Sequence, residues 1–163
     1  MEKVRKFKRC IYCFEEKINS ETSCPACGYE DGFGSLPGWW LTPGTILKGR
    51  YMIGRDLEES NEKLIYLGWD MKKNCRVEIT EYFPKAYVTR DITRSENVSC
   101  IPGKEQLLQD GKQTFFERAK TFFLCVIRVE DLKMDFFLRN NTCYYVREKS
   151  IKLNRLHIPQ TVE

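Results

Sequence analysis

The chain has 163 residues, 42% of them hydrophobic and 13% aromatic, enough for one ordinary core plus a small module and little more. Its formal charge of +4 is mild and permits a nucleic-acid or acidic partner without arguing for one. No run approaches the roughly 18 apolar residues that span a bilayer, and no apolar stretch follows the basic N-terminus as a secretory leader requires. The expected setting is therefore the cytoplasm, away from membranes, where eight cysteines are better explained by metal and buried thiols than by disulfides.

The chain opens on Lys3, Arg5, Lys6, Lys8 and Arg9, read as a solvated tail in preference to a nucleic-acid or lipid contact. The strongest motif follows. Cys10 and Cys13 are separated by two residues, as are Cys24 and Cys27, with ten residues between the pairs and Gly28 directly after the second. Each pair puts two sulfurs on one tight turn, and two such turns facing each other offer a tetrahedral thiolate cage that suits Zn²⁺. Four thiolates leave no open position, so the expected site holds one structural zinc and is not catalytic. Iron in a rubredoxin-like site fits the same ligands. Two disulfides or four free thiols fit less well, because so short a module needs a staple to fold. Residues 1–30 are read as this ribbon with its basic tail.

Residues 31–44 carry Gly32, Gly34, Pro37, Gly38 and Pro43 and read as a linker, with Trp39 and Trp40 more plausible as packed anchors than as an exposed stacking pair. Beyond it the pattern predicts strands at 51–57, 63–70 and 74–81, a helix over 103–124, and strands at 132–138 and 142–148. Arg139-Asn140-Asn141 predicts the hairpin turn between the last two. The helix carries Leu107, Leu108, Phe115, Phe116, Ala119, Phe122 and Phe123 at roughly helical spacing. The expected fold is α+β: a small four-cysteine zinc ribbon, then a five-stranded antiparallel sheet with one main helix over residues 45–150, and a flexible tail at 151–163.

Several segments together resemble the small N-terminal lobe of a bacterial serine/threonine protein kinase. They are Pro43-Gly44-Thr45-Ile46-Leu47-Lys48-Gly49-Arg50-Tyr51, Tyr66-Leu67-Gly68-Trp69-Asp70, Glu81-Tyr82-Phe83-Pro84 and Val88-Thr89-Arg90-Asp91. Phe116-Glu117-Arg118-Ala119-Lys120-Thr121 is similar to the helix C segment, and Asp135-Phe136-Phe137 with Tyr144-Tyr145-Val146 to strands four and five. Some kinases of this kind carry a four-cysteine ribbon ahead of the lobe.

Phosphoryl transfer in that family uses a glycine-rich loop, a lysine on strand three and a glutamate on helix C. Here the loop from Gly54 to Lys63 keeps only Gly54, and Glu58, Glu59 and Glu62 bring negative charge where a triphosphate lies in the family. Val77-Glu78-Ile79-Thr80-Glu81 stands where the family has Val-Ala-Ile-Lys-Glu, so Thr80 takes the lysine position and Glu78 the small-residue position beside the adenine. Arg118 aligns with the glutamate, and Glu117 beside it points about 100° away around the helix. No His-Arg-Asp catalytic loop and no Asp-Phe-Gly metal site follow Glu148. The resemblance thus implies a pseudokinase-like lobe that is no enzyme alone, with no catalytic residues and no bound ATP expected at Gly54, Glu78, Thr80 and Arg118.

The remaining candidates read as ordinary. His157 is a surface residue, Asp70, Asp91, Asp131 and Asp135 belong to turns or surface, and Cys75, Cys100, Cys125 and Cys143 are free thiols before a second metal site or redox switch. The leading functional expectation is a non-catalytic zinc-binding interaction or regulatory module, partnered by a protein. That partner is a kinase or a second copy, met through the exposed underside of the lobe. The alternatives are one half of a split or truncated kinase that binds ATP with a partner lobe, and a nucleic-acid-binding ribbon protein, which Glu15, Glu16, Glu21 and Glu30 disfavour. A decayed kinase without selected function is the remaining expectation.

Overall fold

The structure is a computed structural model that describes residues 8–17, 22–30, 38–126 and 134–148, with helix side chains described up to Phe122. The basic residues Lys3, Arg5 and Lys6, the breakers Gly32, Gly34 and Pro37, Asp131, His157 and the tail 151–163 lie outside them. The elements in order are β1 Ile46–Leu47, β2 Tyr51–Glu59, β3 Lys63–Asp70, β4 Cys75–Tyr82, β5 Val88–Thr89, β6 Ser99–Cys100, α1 Glu105–Val126, β7 Asp135–Arg139 and β8 Thr142–Glu148.

One antiparallel sheet runs β1-β2-β3-β4-β8-β7, and β5 pairs with β6 apart from it. The sheet therefore has six strands where the sequence predicts five. The extra strand, β1, is only two residues long and is invisible as an alternating pattern. Left-handed backbone at Lys48 and Gly49 (φ 55° and 64°) turns it onto β2, pairing Leu47 with Tyr51.

The local causes of the other turns are plain. Asn140 and Asn141 both take positive φ (55° and 58°), the backbone of the two-residue hairpin turn that matches strand twist, and Arg139 then pairs with Thr142. Between β3 and β4, the Asp70 carboxylate accepts from the N–H groups of Lys72 and Lys73 (2.9 and 3.1 Å) and from Arg50 (3.0 and 2.7 Å). These bonds hold the Asp70 carboxyl below its usual pKa against the opposing effect of burial.

Alternation divides the sheet into two faces. One carries Ile53, Leu64, Tyr66, Val77, Ile79, Tyr144 and Val146, packed with Trp40, Leu41, Val88 and Val98 into the main core. Trp40 is buried there with its ring edge-on to Tyr66, whereas Trp39 stays 37% exposed and donates to Glu59. The other face, defined by the register partners Trp69/Arg76, Leu67/Glu78 and Ile65/Thr80, holds α1 at one end and the ribbon at the other. Phe115 of α1 packs on Tyr82 and Tyr145, with ring centroids at 5.1 and 5.4 Å, and Phe116 packs on Phe136 at 4.2 Å. Gly111 makes this close approach feasible, since a Cβ there would overlap the Tyr82 hydroxyl. Leu107 and Phe122 remain about half exposed, at 47% and 51%.

Candidate metal centre and the sheet face beside it

The two cysteine pairs form matching turns. Cys10 N–H donates to Glu15 C=O and Phe14 N–H to Cys10 C=O, both at 2.9 Å. Fourteen residues on, Cys24 N–H donates to Tyr29 C=O at 2.9 Å and Gly28 N–H to Cys24 C=O at 2.7 Å. Isolated bridges Arg9/Glu16 and Ser23/Glu30 close each turn, and Tyr12 stacks flat on Tyr29 at 4.7 Å.

All four sulfurs lie within 4.8 Å of one another, and the nearest cross-turn pairs are Cys10/Cys27 at 3.8 Å and Cys13/Cys24 at 3.7 Å. A disulfide needs about 2.05 Å. A tetrahedron of sulfurs each about 2.3 Å from zinc has an edge of about 3.8 Å. The donor set therefore fits a metal ion such as zinc. Burial pushes the Cys13 thiol up to about 12. Burial opposes ionisation at Cys24 too, but the N–H groups of Cys27 and Ala26 outweigh it and draw that thiol down to about 7. Among the described residues this is the one cluster of three or more potential metal ligands. Cys75 and Cys100 are half-buried, and burial pushes Cys143 up to about 12.

The residue after each second cysteine adopts left-handed backbone: Gly28 at φ 75°, Phe14 at φ 61°. Glycine takes that conformation without cost, while a bulky residue gives up about 1–2 kcal/mol. The offset is visible in the packing. The Phe14 ring is fully buried against Met52, Leu67 and Trp69, and burial of such a ring contributes about 1.5–3 kcal/mol.

The lobe is shaped to receive it. In β2, Gly54 and Arg55 together oppose Leu67, a bulge between the pairs Ile53/Gly68 and Asp56/Tyr66. The bulge frees the Arg55 N–H, which donates to Tyr12 C=O at 2.8 Å. A Cβ at Gly54 would stand 2.5 Å from the Phe14 ring and 2.8 Å from Tyr12 O. Arg76 reaches Glu15 at 2.7 Å and Cys13 C=O at 3.4 Å, and Arg9 lies over the Trp69 ring at 4.5 Å.

Of the four residues that the sequence places around a nucleotide, Glu78 and Thr80 lie two apart on one face of β4 and Gly54 lies in the same cross-strand row as Leu67 and Glu78, while Arg118 is on α1. Gly54 is mid-strand against the ribbon, away from the loop tip at residues 60–62. Glu78 accepts from Arg147 Nε on the adjacent strand at 3.0 Å, and its register partner Leu67 is covered by Phe14. Thr80 is 1% exposed, and its Oγ1 is the one buried side-chain polar atom without a hydrogen-bond partner among the described residues. Arg118 is well exposed and lies 3.9 Å from Glu62. Of the loop acids, Glu59 is ion-paired with Lys85. A groove of about 770 Å³ opens between residues 60–63, Tyr82, Tyr145 and α1, with Lys63, Arg118 and Arg147 among its walls and Glu62 and Asp110 opposing their charge.

Sequence reasoning passed over a polar network on the opposite face. Glu81 and Arg90 form an ion pair with both side chains at 0% exposure. Tyr66 and Tyr144 each donate to the Glu81 carboxylate at 2.8 Å, and Arg90 also donates to Trp39 C=O (2.6 Å) and Glu96 C=O (2.8 Å). Burial, then the Glu81 charge, raises both tyrosines well above their ordinary pKa. The segments Glu81-Tyr82-Phe83-Pro84 and Val88-Thr89-Arg90-Asp91 contain both partners, but nothing in one sequence couples them.

No protein-family model and no curated protein matches the sequence. Among solved structures, that of PpkA-294 in its apo form, a bacterial serine/threonine kinase, is similar at 19% identity and a TM-score of 0.52. The match covers 70% of this chain and 38% of that one. At this identity the likeness is one of fold. The chain is thus an α+β protein with a kinase-like neighbour and a four-cysteine cluster suited to a metal ion such as zinc.

Proposed function

We propose that the chain is a non-catalytic zinc-binding interaction or regulatory module built on a degenerate serine/threonine kinase N-lobe. The observation that carries this reading is the occupation, by the protein's own groups, of the part of one sheet face around Glu78 and Thr80. Glu78 is paired with Arg147, Leu67 beside it lies under Phe14, and Thr80 is buried. A nucleotide approaching that face meets the Glu78 carboxylate and the buried Thr80 where the family presents a small residue and a lysine, with the ribbon's Phe14 beside them. The zinc serves structure, since four thiolates leave it no position for water or substrate. The partner is a protein, a kinase or a second copy, met along α1, where Leu107 and Phe122 are exposed beside the groove.

A second reading is half of a split kinase that binds ATP with a partner lobe. The feature favouring it is the groove, with three cationic walls next to α1. Thermal unfolding of the zinc-loaded protein with and without excess ATP–Mg²⁺ separates the two. Binding at a hundredfold excess over Kd adds about 2.7 kcal/mol, a rise of about 5–10 °C for a chain this size. The non-catalytic reading predicts no rise; a rise of that size moves the split-kinase reading to the front.

A further inference from the structure

The contacts that dock the ribbon centre on its first metal-binding turn, with Arg9 and Glu15 at its flanks adding contacts to Trp69 and Arg76. Cys10 and Cys13 flank Ile11 and Tyr12; Tyr12 C=O takes the bulge N–H of Arg55, Cys13 C=O takes Arg76, and Phe14 is the buried wedge. In the second turn the left-handed position is filled by Gly28, which suits the turn alone. In the first it is filled by a phenylalanine that suits the lobe. The lobe answers with a glycine where no side chain fits and a bulge that presents one N–H. Turn geometry and docking therefore depend on the same few residues.

We infer that metal occupancy of the four-cysteine site and closure of the ribbon over the β2–β3 face are one coupled equilibrium. With the metal bound, the turn holds Phe14 in the pocket of Met52, Leu67 and Trp69, and the ribbon covers the sheet next to Glu78. When the metal leaves, nothing fixes the turn of Cys10 and Cys13, the burial that offsets the left-handed Phe14 no longer holds it in place, and the ribbon lifts from an apolar patch rimmed by Arg76 and Glu78. By linkage, the lobe tightens metal binding by the same factor by which the metal tightens docking. The inference rests on the cysteine cluster and these contacts, and holds whichever functional reading is correct.

The test uses the whole chain. Amide hydrogen exchange is followed with zinc bound and after removal by a chelator. Exchange at Arg55 should speed at least fivefold on zinc removal, and by more than at Ile79 and Tyr144 in the sheet centre. Equal rates at Arg55 with and without metal, or a change no greater than at those two amides, overturn the inference. Gly54→Val blocks docking without touching a cysteine. Competition against a chromophoric chelator should show its zinc affinity reduced about five- to 150-fold, the usual span of coupling between sites. A smaller loss in a folded variant also overturns it. Phe14→Gly keeps the turn and removes the wedge, so this variant should bind zinc while the Arg55 amide no longer responds to it. A response as large as in the unaltered chain contradicts the coupling.

Discussion

Thr80 has Ile65 and Tyr145 as its neighbours on the flanking strands, and its hydroxyl is buried without a partner. An unpaired buried hydroxyl is a cost, and valine has the same shape without it. Thr80→Val should leave the fold intact and raise unfolding free energy by about 1 kcal/mol, read by urea titration. A loss of that size would show the hydroxyl to be engaged. Glu81 is the reverse case. Its carboxylate satisfies Arg90 and two tyrosines in a sealed site, so Glu81→Gln leaves a guanidinium buried without its counter-charge. Such a change should cost about 3–5 kcal/mol in the same titration. A loss below about 1 kcal/mol would mean that water reaches the site. At this scale the sequence was partly legible. Cys10, Cys13, Cys24 and Cys27 announce themselves by spacing, because a chelating turn is local. Glu81 and Arg90 do not, because their pairing exists only once β4 and the loop after it are folded against Trp39. Phe14 was silent for the same reason: its meaning lies in the bulge of β2, which pairing creates.

Among the elements, strand limits were readable to within a few residues. β2 runs two residues past its predicted 51–57, β4 sits one residue later than 74–81, and β7 is Asp135–Arg139 against 132–138, of which 132–133 lie outside the described residues. β3 and β8 match their predicted limits even though β3 is buried on both faces, and the turn at Asn140-Asn141 follows from the two residues best suited to left-handed backbone. The helix is shifted two residues from its predicted 103–124, as helix ends often are. β1 and the β5–β6 pair escaped, since two-residue strands carry no period and exist through their neighbours. Among the described residues of the ribbon only Cys10, Phe14 and Cys24 are buried hydrophobics, so metal is the expected source of its folding energy, about 10–16 kcal/mol in comparable zinc modules. Chelation should therefore unfold the ribbon while the sheet, anchored by the main core, keeps its far-ultraviolet circular dichroism at a lower Tm. NMR of the Phe14 ring reports the ribbon directly; resonances unchanged after chelation would contradict this assignment.

The whole molecule is a sheet with two occupants on one face, α1 at one end and the metal turn at the other, and a sealed core on the opposite face. The chain is similar in fold to part of PpkA-294, and on the face that carries Glu78 its own groups pair Glu78 with Arg147 and cover Leu67 with Phe14. The sequence pointed to a kinase-like fold through its motifs and to a metal-ligating cluster through its cysteines, but not to the contact between them, which needs Gly54, Phe14 and Arg76 brought together from three distant segments. The inferred role of a four-thiolate zinc in holding this arrangement is tested most directly by X-ray absorption at the zinc edge, with metal content per chain. It predicts one zinc per chain with four sulfur neighbours at about 2.3 Å. A metal-free chain with two disulfides, an iron centre, or a zinc bound through nitrogen or oxygen would contradict it.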